Sequence, residues 1–152
     1  MSSDGTSGDG LHAYFETELF VAELDDAEMG DVVLGADCAD WLKARLAGVA
    51  ETGVAVQESW GWALPVVIAG QPLWLMLQKW YATERDWHVW VEPRGLLARL
   101  LTGRSNAAAL RLRDTVNRVL ADEPRVSKLE WVADANALAK RGPGRDPLRD
   151  HE

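Results

Sequence analysis

Glu58-Ser59-Trp60-Gly61-Trp62 is the most distinctive chemistry-bearing segment of the chain. A tryptophan offers a large apolar face and one N–H donor, so two of them around a backbone bend can form an aromatic platform for a ligand or anchor a protein partner. The competing reading puts Trp60 and Trp62 on one strand face, filling the space between sheet and helices. Glu58 is the single acid on the apolar parity of its segment. Buried, it would titrate high and serve as an acid or base; at a strand end in water it is a surface carboxylate. His88, close to Trp87 and Trp90, is open to the same two readings, catalytic or ligand-binding against sheet surface, and no Ser or Cys nucleophile pattern accompanies it. His12 and His151 complete the histidines, and no pair among them has metal-ligand spacing. Asp25, Asp26, Glu28 and Asp31 form an acidic run, but they lack the alternate spacing and closing glutamate of a calcium loop. Neither a metal nor a cofactor is expected.

These residues have to be positioned by 152 residues, enough for one domain. We place it at 11–140, between a disordered lead-in (1–10) and a disordered tail (141–152). Eight of the twelve aromatic residues are Trp, and the net charge is -8, which argues against nucleic-acid and anionic-membrane partners. The charge is polarised along the chain: residues 1–78 carry thirteen acids and two bases (net -11), residues 79–152 fourteen bases and eleven acids (net +3). Either the acidic half is a solvated surface, or it is a docking surface for a basic partner. The single Cys38 excludes an intramolecular disulfide, and the first ten residues have neither the basic nor the apolar region of a secretory signal. The apolar stretches at 63–69 and 73–77 fall far short of the ~20 residues of a membrane helix. A cytoplasmic location is the expectation.

Alternation of apolar and polar residues over 11–21 predicts a first strand. A helix follows, with Asp37 as N-cap and Cys38, Trp41, Leu42, Leu46 and Val49 at helical spacing. The next β signal divides into 54–57 and 60–68, with a bulge or bend at Gly61. Residues 69–72 read as a turn and 73–80 as a return strand, central or covered on both faces because it is apolar on both parities. Residues 87–91 complete the meander. A second long helix starts near Ser105 and stops before Pro124, and 126–132 reads as an edge strand with Val126, Lys128, Glu130 and Val132 on one face. The expected fold is α+β: strand, helix, a meander of three or four strands, helix, strand, with two helices packed on one face of a mainly antiparallel sheet. Trp87 and Trp90 have opposite parity, so at least one sheet face carries Trp that the helices leave uncovered.

The Glu58 to Trp62 segment, the Trp-Leu-x-x-x-Leu helix at 41–46 and the Trp-bearing meander ending in Val91-Glu92-Pro93 together resemble a family of small uncharacterised bacterial proteins with the pattern Glu-Asp-Trp-Gly-Trp. Ser59 stands here where that pattern has Asp. The resemblance spans roughly residues 41–131 and implies no activity or catalytic residues. In type, a small acidic α+β chain is also similar to the immunity proteins of bacterial toxin systems.

The leading expectation is a non-enzymatic binding protein, an immunity protein or adaptor, whose Asp25, Asp26, Glu28 and Glu58 attract a basic protein partner that Trp60, Trp62, Trp87 and Trp90 anchor. The alternative is a small-ligand sensor with a pocket lined by Trp60, Trp62, Trp74 and Trp87. A third reading, a hydrolase using Glu58 and His88, requires those side chains to meet.

Overall fold

The computed structural model of the protein describes residues 10–21, 33–80, 84–94 and 103–133. Among them are two helices and a seven-stranded antiparallel sheet, an α+β arrangement. In chain order the elements are β1 (His12–Thr17), α1 (Ala36–Leu46), β2 (Glu51–Thr52), β3 (Val56–Gln57), β4 (Trp62–Ile68), β5 (Gln71–Lys79), β6 (Asp86–Pro93), α2 (Gly103–Ala121) and β7 (Val126–Val132). The strands lie in the order β2-β4-β5-β6-β1-β7, and β3 pairs with β4 at the end that β2 leaves open. No helix among the described residues is long and apolar enough to cross a membrane.

Strand alternation sorts the side chains into two sets. Ala13 and Phe15 of β1, Leu64, Val66 and Ile68 of β4, Leu73, Leu75 and Leu77 of β5, Trp87, Val89 and Val91 of β6, and Trp131 of β7 are all buried. They form one apolar cluster with Cys38, Ala39, Leu42 and Leu46 of α1 and Ala108, Ala109, Leu112, Val116 and Leu120 of α2. Both helices therefore owe their place to apolar stripes at three- and four-residue spacing that only the sheet can cover. Burial, reinforced by the Asp37 charge, pushes the Cys38 thiol well above its ordinary value, which leaves it a packing residue. Trp131 ties α2 to β7 by donating from Nε1 to Asn117 Oδ1 at 2.9 Å, with the Arg113 guanidinium 5.0 Å over its ring.

Residues of the other parity lie outside that cluster. Pairing register carries one row of them across the sheet: Val56 faces Ala63, Ala63 faces Met76, Met76 faces Trp90, Trp90 faces His12, and His12 faces Val132. The adjacent row runs from Gln78 through His88 and Tyr14 to Glu130.

Several local expectations are corrected. Gly35, not Asp37, occupies the N-cap of α1; Asp37 lies inside the first turn, where its carboxylate accepts from the backbone N–H of Val21 at 2.7 Å and of Cys38 at 2.9 Å. The turn after β4 has only two residues, Ala69 and Gly70, with φ of 51° and 76°, the twist a tight hairpin favours, so Gln71 and Pro72 already belong to β5. Asp86 opens β6, and the sheet run continues through Pro93. α2 begins at Gly103.

The edge strand β7 exists as expected, but not with one unbroken alternation. Its register against β1 shifts between Tyr14 and Glu16, and Lys128 has φ of 56°. This bulge reverses the parity: Val126 packs against the core with Trp131, while Ser127 faces Glu16. The expectations for 1–9, 23–31, 95–101 and 135–152 lie outside the described residues.

The sorting of tryptophans is measurable. Trp87 is fully buried, whereas Trp60 is 39% exposed. Trp87→Ala should cost about 3–5 kcal/mol in urea denaturation and Trp60→Ala less than about 1 kcal/mol; similar costs for the two would contradict this division of the faces.

Candidate functional site

The second face of the sheet carries a stack of rings. Its base is the pair His12 and His88, brought together by the pairing of β1 with β6, their rings 5.2 Å apart at 20° and His12 Nδ1 3.0 Å from His88 Nε2. Trp90 lies over both, 4.6 Å from the His88 ring and 5.9 Å from His12, and Trp80 meets His88 edge-on at 5.4 Å. Trp60 completes the stack, tilted at 40° against Trp90 with centroids 5.2 Å apart.

Trp60 reaches this position because of its neighbour. Glu58 to Gly61 form a tight turn between β3 and β4, in which Glu58 N–H donates to Gly61 O at 2.7 Å. A Cβ on Gly61 would lie 2.3 Å from the Leu77 carbonyl oxygen and 3.0 Å from Gln78 Cβ. Only glycine lets the turn lie directly on β5, and the resulting placement carries Trp60 over the sheet. Trp60 thus belongs to a turn and Trp62 to a strand, which is why the two do not share a face.

His88 is 1% exposed. Burial, with a smaller contribution from His12, lowers its pKa from 6.5 to about 3. Both ring nitrogens are engaged: with the Gln78 amide nitrogen 2.9 Å from Nδ1 and donating to it, Nε2 carries the proton and donates to His12 Nδ1. A ring that is neutral, buried and bonded at both nitrogens is a poor general base near neutral pH. Its role is to fix the floor beneath Trp90.

The rim is polar. Trp90 donates from Nε1 to Glu92 Oε2 at 2.6 Å on the exposed side, and one strand over the Arg94 guanidinium sits 5.3 Å above the Trp74 ring. Glu58 is exposed in the same turn as Trp60. Val56, 44% exposed, adds apolar surface beside Ala63 in the first row.

Of the residues singled out from sequence, the structure therefore brings Trp60 and Trp90 together, with Glu58 in the turn beside them. Trp62 lies on the core parity, half-buried, and donates from Nε1 to the Val33 carbonyl at 2.9 Å. Trp87 is inside the core, edge-on to Phe20 at 5.5 Å. A pocket shared by Trp60, Trp62, Trp74 and Trp87 is not formed, because the first and third lie on one face and the other two on the opposite one. No contact joins exposed Glu58 to buried His88. Asp25, Asp26 and Glu28 lie outside the described residues. Sequence reasoning missed the pairing of His12 with His88: each stands on the polar parity of its strand, but nothing local says that the first strand pairs with the last strand of the meander.

A second feature is a cleft of about 450 Å³ at the far end of β1, lined by Glu16 and Glu18 together with Arg85, Arg125 and Lys128. Its buried carboxylate is already matched, Glu16 accepting from Tyr14 Oη at 3.1 Å and lying 3.3 Å from Lys128 Nζ and 4.0 Å from Arg85. Glu123 likewise holds Arg125 in a two-point contact, which pulls the carboxyl below its ordinary range. Among the described residues no group of three or more His, Cys, Asp or Glu side chains is arranged to hold a metal ion.

Comparison with known proteins found no matching family model, no similar curated protein and no similar solved structure. The chemistry of the site is accordingly read from its geometry.

The buried histidine makes a pH prediction with a definite sign. Its folded pKa lies below the unfolded value, so the unfolded chain takes up a proton between pH 6.5 and about 3 that the folded protein refuses. The stabilising contribution is complete above pH 6.5 and is lost as pH falls toward 3. Between pH 7 and 4.5 the loss is about 2–3 kcal/mol. Urea denaturation of wild type and His88→Gln at both pH values should show the stability gap between them narrowing by that amount at pH 4.5; parallel acid profiles would rule out a buried neutral His88.

Proposed function

We propose that this protein is a non-enzymatic protein-binding module that presents the Trp60–Trp90 face of its sheet to a partner with a basic surface, in the manner of an immunity protein or adaptor that neutralises or escorts a bacterial toxin or effector. The observation that carries the reading is the Trp60–Trp90 stack: a large aromatic ring, 39% exposed, on the face that the core cluster does not use. Buried core packing leaves no reason for a tryptophan at that place, and exposed aromatic clusters mark interaction surfaces. Tryptophans on a rigid base are efficient anchors because little side-chain freedom is lost on binding. A buried, neutral His88 with both ring nitrogens hydrogen-bonded favours binding over hydrolysis. The net charge of -8 favours a basic partner through faster encounter.

The test uses a photo-crosslinking residue. Placed at position 60 in the full chain it should capture a partner that the same residue at position 45, on exposed α1 surface, does not, and Trp90→Ala should reduce the yield at least about tenfold. Equal capture from both positions, or capture unaffected by Trp90→Ala, would refute this choice of face.

A further inference from the structure

The Trp60–Trp90 ledge has a chemistry more specific than aromatic surface. Glu92 already accepts one hydrogen bond from Trp90 Nε1, and a carboxylate has further lone pairs directed away from that donor. Glu58 adds a second exposed carboxylate on the turn that carries Trp60. Beneath the ledge, buried His88 stays neutral. Among the described residues no Lys or Arg lies over Trp60 or Trp90, although three other tryptophans each have an arginine there: Arg45 is 4.9 Å from the Trp41 ring centroid, Arg94 5.3 Å from Trp74 and Arg113 5.0 Å from Trp131. The ledge therefore repeats a local environment that this chain elsewhere fills with its own guanidinium, and adds an exposed carboxylate beside it.

Resting on the protein-binding reading above, we infer that the ledge of Trp60, Trp90 and Glu92 receives an arginine side chain of the partner protein. The guanidinium plane stacks on an indole while its N–H groups reach the Glu92 carboxylate. Lysine fits less well, because an ammonium is more strongly hydrated and has no flat face to lay against the ring. Charge complementarity extends beyond the contact, since a chain of net charge -8 draws a basic segment toward itself.

The experiment titrates the full-length chain with three short Gly/Ser peptides that differ only in carrying several arginines, lysines or citrullines. Binding is followed by the indole N–H signals of Trp60 and Trp90 in NMR, assigned with Trp60→Phe and Trp90→Phe. The arginine peptide should shift both signals, the lysine peptide should bind roughly threefold or more weakly, and the uncharged citrulline peptide should not bind. Trp60→Ala and Glu92→Gln should each weaken the arginine peptide roughly threefold to tenfold. Glu51→Gln, a control carboxylate on β2, should change it by less than about twofold. Equal binding of arginine and citrulline peptides, or binding insensitive to both ledge substitutions, overturns the inference, as does an arginine peptide that leaves the two indole signals unmoved. If position 60 still captures a partner in that last case, the protein-binding reading survives and only the arginine assignment falls; if neither result appears, both fall.

Discussion

The alternation of strand β6 is the constraint on which the two faces depend. It is flanked by β5 and β1, and along it Trp87, Val89 and Val91 enter the core while His88, Trp90 and Glu92 go to the other side. Because successive side chains point to opposite faces and β6 pairs with both neighbours in unbroken register, Trp90 cannot turn inward while Trp87 stays buried. A fully buried Trp87 is worth several kcal/mol of apolar transfer and packing, so the register is held by the core. The ring stack on the far side inherits its geometry from that packing. It needs only partners of matching parity, and β1 and β5 supply them as His12 and Gln78.

The second face also shows how a sheet surface that is not part of the main core accommodates buried polar groups. Two of them are matched in place, His88 between Gln78 and His12 and Glu16 beneath Tyr14, Lys128 and Arg85, whereas the Trp80 indole N–H, edge-on to His88, is buried without a hydrogen-bond partner. At the end of the β5–β6 pair, Lys79 Nζ lies 2.8 Å from Asp86 Oδ1 with both side chains buried, and the same ammonium donates to the Trp80 carbonyl. Buried charges of this kind contribute little net stability, but losing one partner is costly, so they penalise any register in which they would separate. The ion pair and the histidine ladder thus bind β5, β6 and β1 to one alignment. Apolar packing alone would discriminate less sharply between neighbouring registers.

Much of this was legible from the sequence, for stated reasons. The two helices announced themselves through apolar stripes, β4 and β6 through alternation, and β5 through a run apolar on both parities that follows a Gly-bearing turn. The opposite parity of Trp87 and Trp90 already required an aromatic residue outside the core. Three things were not legible. The Gly61 turn broke the apparent parity of Trp60 and Trp62, because a tight turn and a continuous strand give the same spacing of apolar residues. The bulge at Lys128 reversed the face of Val126, and nothing in Val126-Ser127-Lys128 signals a positive φ on a lysine. The contact of His12 with His88 joins residues 76 positions apart and depends on which strand lies beside β1, a property of topology that local patterns do not carry.

On the protein-binding reading proposed above, affinity and rigidity at this face come from different residues. Trp60 is supplied by a turn and offers the exposed ring, yet a turn alone would leave that ring free to rotate and would forfeit the gain on binding as lost side-chain entropy. Its partner Trp90 is held by β6, bonded to Glu92, and backed by two histidines whose hydrogen bonds reach Gln78 on the next strand. Gly61 joins the two halves, since its missing Cβ lets the turn rest on the Leu77 carbonyl and keeps Trp60 against Trp90. An exposed ring on a turn thereby becomes part of a surface whose shape is set by the fold itself. That pre-organisation, more than the number of tryptophans, distinguishes the Trp60–Trp90 pair from an exposed side chain that failed to find the core.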